Sequence, residues 1–303
     1  MKRLMFISSF TVFSITMSIH AHAATIVTDG LVSYWTFDRD DIIEGTVKDV
    51  WGKNDATIMG NPEIVGGRVN QALKFDGIDD FVNLATLGDF GAQLGSSTFE
   101  AWIKIGLKEK WQALFKVIDS ECMGWGIDFN WGKLSNPFRG RENELLIRDV
   151  NEVLKDIKEN VTIGYYVRNH FFWPGRREQC WTPIFSDARL KRDEKWHHIV
   201  YMMEVQEIER VSRFYIDGEQ TSLRKIPYER GVYIPFTDPI YLGAASIEGD
   251  PRNFFEGAID EVRIYNRPLT KSEVTRNFKS GISLSVQPTR KLTTVWGALK
   301  SKR

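Results

Sequence analysis

The carboxylate that most needs explaining is Asp260, in the segment FFEGAIDEVRIYNRPLTKSEV (254–274). Counted by twos from Ala258, a strand here puts Asp260, Val262 and Ile264 on one face and Ile259, Glu261, Arg263 and Tyr265 on the other. An ionised carboxylate among core residues is costly unless a cation or a set of donors meets it. The pattern therefore calls either for a metal ion or for backbone amides around Asp260. A second acidic group, Asp76, Asp79 and Asp80 in FDGIDDFV, offers closely spaced oxygen ligands, but an Asp-Gly pair is equally ordinary turn chemistry.

Other residues with chemical potential lack company. His197 and His198 are neighbours, so on a strand their rings diverge and cannot share a metal; they are read as structural. Glu204 and Glu207 in MEVQEIER lie near a strand end with no Asp between them. Asp260 and Glu261 point apart on a regular strand. The chain holds no G-x-S-x-G elbow, H-E-x-x-H pair or phosphate-binding glycine loop.

The elements that must position these residues read mostly as strands. LVSYWTFD (31–38) is rich in β-branched and aromatic residues. STFEAWIKI (97–105) sets Phe99, Ala101, Ile103 and Ile105 against Thr98, Glu100, Trp102 and Lys104, the pattern of a half-buried strand. WHHIVYMMEV (196–205), RFYIDGEQ (213–220) with the turn pair Asp217-Gly218, PIYLGAAS (239–246) and GAIDEVRIY (257–265) follow. Short strands with Gly, Asp and Asn between them predict an all-β antiparallel sandwich. In RPLTKSEV, Thr270 and Glu273 form a capping box with Leu269 and Val274 at the staple positions, which predicts a short helix to about Phe278, stopping near Gly281.

Two regions break the rhythm. In ELLIRDVNEVLKDIKEN (144–160), Val150, Val153, Leu154 and Ile157 fall at helical spacing, predicting a partly helical insertion over about 133–185. After Gly281 the tail (282–303) carries basic residues and no acid, and Leu292, Val295, Trp296 and Leu299 outline a short amphipathic helix. The aromatics Trp102, Trp125, Trp131, Trp173 and Trp181, with Phe171 and Phe172, divide between core and stacking platforms. GWGIDFNW places Trp125, Ile127, Phe129 and Trp131 on one face. In FFWPGRREQCW, stacking faces meet basic donors, so Phe172, Trp173, Arg176, Arg177 and Trp181 are the candidate ligand contacts.

Composition sets the context. Of 303 residues, 42% are hydrophobic and 13% aromatic, which suits a folded chain with a sizeable core. Forty basic residues balance forty acidic ones, so no overall field draws nucleic acid or a membrane. Lys2 and Arg3, an uncharged and mostly apolar run, and Ala21-His22-Ala23 have the layout of a secretory signal cleaved after residue 23. The expected location is secreted, extracellular or periplasmic, with no transmembrane span after cleavage. In that setting Cys122 and Cys180 can pair as a disulfide; two separate buried thiols are the alternative.

Taken in order, LVSYWTFD, VKDVWGKNDATIMG, NQALKFDGIDDFVNL, STFEAWIKI, EKWHHIVY, FYIDGEQ and FFEGAIDEVRIYNRPLTKSEV resemble the blocks of laminin G-like, concanavalin A-like domains of secreted bacterial proteins. The resemblance covers roughly residues 29–280 apart from the insertion, and the domain is taken as 24–281. It implies a two-sheet jelly roll whose first and last strands are neighbours. It also implies a structural Ca²⁺ held by Asp38 and Asp260, with Asn54 contributing, since hard oxygen ligands suit that ion. The function implied is a non-catalytic module binding glycan or extracellular protein, not nucleic acid. The alternative is a carbohydrate-active enzyme, a glycosidase or polysaccharide lyase. Jelly-roll glucanases carry E-x-D-x-x-E on one strand; this chain has no such pattern.

Overall fold

The structure, a computed structural model, describes residues 26–86, 96–107, 110–118, 124–129, 160–167, 184–206, 209–227 and 238–280. Its strands are β1 Leu31–Trp35, β2 Ile42–Ile43, β3 Thr46–Val47, β4 Ala56–Met59, β5 Glu63–Gly66, β6 Gln71–Asp76, β7 Phe81–Thr86, β8 Ser97–Ile105, β9 Gln112–Ile118 and β10 Gly124–Phe129. They continue with β11 Asn160–Val167, β12 Ile184–Lys191, β13 His197–Val205, β14 Glu209–Ile216, β15 Glu219–Pro227, β16 Pro239–Leu242, β17 Ala245–Ile247, β18 Asp250–Arg252 and β19 Glu256–Tyr265, and the helix α1 spans Lys271–Lys279.

These strands build two antiparallel-rich sheets, the sandwich expected from the strand pattern and the jelly roll that the resemblance implies. The first runs β15-β14-β13-β8-β19-β6-β5, with β1 on β19; the second runs β12-β11-β10-β9-β16-β7-β4-β3-β2. Alternation turns Phe99, Ala101 and Ile103 of β8, Ile199 and Tyr201 of β13, and Leu73 and Phe75 of β6 inward. They meet Phe115, Val117, Ile127, Phe129, Val82 and Leu242 from the second sheet. Phe99 and Phe115 stack across the two layers with centroids 4.0 Å apart. Each such side chain contributes roughly 1.5–3 kcal/mol by leaving water. Ile127 and Phe129 share the core face as their spacing predicts.

The first and last strands are neighbours: Trp35 pairs with Val262 and Tyr34 with Arg263. The free edge of β1 is covered by the following loop. Asp49 accepts from the amides of Tyr34, Trp51, Gly52 and Asn54, Val50 donates to the Tyr34 carbonyl, and the Trp51 indole donates to that of Leu31. The loop thus occupies part of the edge that β1 would otherwise offer another chain. Residues 160–167, inside the stretch read as an insertion, form a strand between β10 and β12. The helical expectation for 144–159, the tail and the leader lie outside the described residues. Among the described residues, no helix is long and apolar enough to cross a membrane.

Candidate functional site

The strand that carries Asp260 departs from simple alternation. Asp260 pairs with Trp102 and Arg263 with Glu100, so Glu261 and Val262 together face the single Ala101. This is a β-bulge, and Glu261 takes it with φ 55, in the left-handed region that non-glycine residues rarely enter. The extra residue resets the pleat. Ile259, Val262 and Ile264 all point into the core, while Asp260 sits opposite Trp102 with Arg263 and Tyr265 following on the outer face. The expectation that Asp260 shares a face with Val262 and Ile264 is corrected by this one residue.

The outer face is not solvent. α1 and the segment around Ile26, Val27 and Leu31 cover it, burying Tyr34, Val200, Met202, Tyr215, Tyr265, Leu269 and Val274 as a second apolar cluster. β8, read as half-buried, is therefore buried on both sides. Trp102 is 3% exposed, stacked on Phe278 with centroids 5.6 Å apart and with the Arg68 guanidinium 4.5 Å from its ring centroid. It belongs to the packing and offers no open platform.

Under α1 lies a closed charge cluster. Arg263 donates to Glu100 Oε1 at 2.6 Å and to Glu261, and Tyr34 donates to the same Glu261 oxygen. His198 Nε2 lies 3.1 Å from Glu100 Oε1. Asn277 donates to Glu100 Oε2 at 2.7 Å and to the Tyr265 hydroxyl, while its own carbonyl accepts from the Val27 amide at 2.7 Å. Burial alone would raise the Glu100 carboxyl, but His198, Arg263 and Asn277 outweigh it and hold that group at about 2. For Glu261 burial wins over Arg263 and Tyr34, and its carboxyl is pushed up. A phenol bonded to a carboxylate is also how a tyrosine nucleophile would be activated. Here both groups, like Arg263 and Glu100, are shut away from solvent, so the arrangement ties elements together.

Asp260 stands beside this cluster, 0% exposed. Its Oδ2 accepts from the Val69 amide at 2.9 Å, and its Oδ1 has no hydrogen-bond partner. Burial, then the charge of Glu261, push its carboxyl up to about 8 against the amides of Val69 and Arg68; Asp38 adds to the push. Asp38, half-buried just beyond β1, accepts from the Gln71 amide and the Asn70 carboxamide, both at 3.0 Å. Asp38 and Asp260 are thus brought close enough to repel. Asn54 is not: its carboxamide donates to Ser33, which pairs with Ile264 rather than with the Asp260 end of β19.

The rival acidic group does converge, with one oxygen each from Asp76, Asp79 and Asp80 within 4.8 Å of one another. Both Asp80 oxygens already accept amides, from Asn61 and Asp76, and Asp76 Oδ1 accepts from Ile78. That is turn chemistry. Phe172, Trp173, Arg176, Arg177, Trp181, Cys122 and Cys180 lie outside the described residues, as do Trp131 and Phe171. His198 is fully buried against Glu100.

Sequence reading missed two groupings. Asn277, on the buried stripe of α1 with Val274, is a polar residue in an apolar pattern, which was the available signal. On the outer face of the second sheet, Phe81, Tyr241 and Phe254 cluster, with Phe81–Tyr241 centroids 4.6 Å apart. Next to Tyr241 in register lies Lys116, in a buried ion pair with Asp128 and 5.5 Å from the Trp111 ring centroid. Nothing in the spacing of these residues foretells their meeting.

A laminin G-type family model described as the concanavalin A-like lectin/glucanases superfamily matches residues 149–275. Among solved structures, Trypanosoma rangeli sialidase in complex with sialic acid aligns with a TM-score of 0.55 at 18% identity, over 85% of this chain and 34% of that one. The binding domain of Paraclostridial Mosquitocidal Protein 1 aligns with a TM-score of 0.54 at 16% identity, over 82% of this chain and 52% of that one. This chain spans about a third of the sialidase's length. No curated protein matches it. The fold is that of the concanavalin A-like jelly rolls, as the ordered blocks of the sequence imply.

Proposed function

We propose that the chain is an exported, non-catalytic recognition module that binds glycan, with a structural Ca²⁺ between Asp38 and Asp260. The observation that carries the metal is Asp260 Oδ1, a buried carboxylate oxygen without a hydrogen-bond partner on a group repelled by Glu261 and Asp38. All-oxygen ligands favour a hard cation, and a bound cation would supply the missing charge. At about 1 mM Ca²⁺ and a Kd of about 10⁻⁴ to 10⁻³ M, the gain is roughly 0.4–1.4 kcal/mol.

Glycan recognition rests on the fold match and on the company kept by lectins and a sialidase within it. Non-catalytic function rests on the fate of the acids: Glu100 and Glu261 are locked to Arg263 beneath α1, where no substrate reaches them. Contact with the ligand is assigned to Phe172, Trp173, Arg176, Arg177 and Trp181, where stacking faces and cationic donors alternate in sequence. The test is a glycan array with the full chain, followed by reducing-sugar and lyase assays on the glycans that bind. Saturable binding without turnover, lost in Trp173→Ala, is the expected result. Turnover would move the protein to the carbohydrate-active enzymes.

A further inference from the structure

We propose that Asp193, His197 and Asp217 form an acid-dependent clamp that fastens the β12–β13 connection to the β14–β15 turn, the turn on which the end of α1 rests. His197 Nδ1 lies 2.8 Å from Asp217 Oδ2, and Nε2 lies 3.1 Å from Asp193 Oδ1. Both partners are carboxylates, so both ring nitrogens must donate, which only the imidazolium can do. A neutral ring keeps one bond and leaves the other carboxylate facing a lone pair.

The turn it holds bears on the helix. Asp217 and Gly218 take φ 52 and 82, and a Cβ on Gly218 would stand 3.1 Å from Phe278, so the turn backbone packs directly against that ring. Asp217 is fixed independently of His197 by accepting from the His198 amide at 2.9 Å and donating its own amide to the His198 carbonyl. What titration changes is therefore mainly the hold on Asp193 and its connection. The charged groups around the ring are few. Asp193, Glu194 and Lys195 come from the connection itself, Lys195 lying 3.7 Å from Asp193. Asp217 comes from the turn, whose next acid, Glu219, is paired with Lys271 of α1. On the β8 side His197 faces Ile103, and the adjacent Lys104 lies 5.6 Å from the Trp196 ring centroid.

The hydrogen bond to Asp217 and the second to Asp193 raise His197 above its ordinary 6.5 despite opposing burial. A histidine raised in the folded state contributes stability that is complete below about 6.5 and is lost as pH rises through the folded value. The experiment follows the His197 ring resonance and hydrogen exchange of 193–197 and 216–219 from pH 5.5 to 9 in the full chain and in Asp193→Asn. In the unmodified chain, His197 should titrate above 6.5 and protection of 193–197 should fall severalfold across that titration. Asp193→Asn should move the titration down and remove the acid-side protection. An ordinary His197 titration, or exchange of 193–197 that is flat with pH once intrinsic rates are corrected, overturns the clamp; should the variant fail to fold, the unmodified chain decides alone.

Discussion

At the scale of single residues, the outer face of the first sheet sets two buried acids against different surroundings. Glu100 is held ionised by His198, Arg263 and Asn277, whereas Asp260 has two amides and two acidic neighbours. Their predicted responses differ accordingly. Without metal, a carboxyl raised to about 8 binds a proton in the folded chain that the unfolded chain releases near 4, so its contribution to stability is complete below about 4 and is lost as pH rises through 8. Calcium should therefore raise the melting temperature more at pH 8.5 than at pH 5.5. Asp260→Asn, which keeps an oxygen for the Val69 amide, should abolish that calcium response and melt no lower than the EDTA-treated parent at pH 8.5. A calcium shift that survives in the variant would place the ion elsewhere. Arg263 makes the opposite case, because it is the cation shared by Glu100 and Glu261. Removing one partner of a buried ion cluster costs about 3–5 kcal/mol. Arg263→Ala should lose that much in urea unfolding, and a loss under about 1 kcal/mol would show that the cluster holds nothing together.

At the scale of elements, the short helix matters through one side chain on its buried stripe. The capping box at Thr270 and Glu273 is in place, with Glu273 also held by Arg267 at 2.7 Å. Loss of an exposed cap costs about 0.5–2 kcal/mol. Asn277 instead joins α1 to Val27, Glu100 and Tyr265 in a closed space, so Asn277→Ala strands a buried amide and weakens the hold on an ionised carboxylate. Its cost should exceed that of Thr270→Ala in paired denaturation curves, and the reverse order would mean that α1 is held by its apolar residues alone. The comparison also marks where sequence stops being legible. The helix, its cap, the Asp217-Gly218 turn and the strands outside the insertion follow from local period and turn chemistry, whereas the pairing of β1 with β19 is what the family resemblance implies. The bulge at Glu261 does not, because a left-handed glutamate is stabilised by Arg263 and Tyr34 arriving from its own strand and from β1, and a period-two count cannot register an inserted residue. The burial of Glu100 and Trp102 fails for a related reason: whether the second face of a strand meets water depends on α1, which lies far along the chain.

At the scale of the whole molecule, both ends of the described domain converge on one face. β1 lies against β19, Val27 is bonded to Asn277, and the Tyr265 hydroxyl donates to the Val27 carbonyl at 3.1 Å. The sandwich core proper, between the sheets, does not include these residues; it is formed by the other face of β8, β13 and β19. Removing residues 270–303 would leave that inter-sheet core intact in composition while uncovering Val200, Met202, Tyr265 and the Glu100–Arg263 pair. Two effects then add. Apolar area returns to water at about 25 cal/mol per Å², and a fully buried carboxylate loses the Asn277 donor that helped hold it ionised. The truncated chain should lose its single cooperative thermal transition and bind a hydrophobic dye at temperatures where the full chain does not. A truncation ending at Lys279 keeps every residue of α1 and serves as the control, since it removes only Ser280 and the residues beyond it. If the chain lacking 270–303 melted as one sharp transition near the parent's temperature, the outer face would be an ordinary surface, and the closed charge cluster would have to be reconsidered as a site that α1 merely overlies.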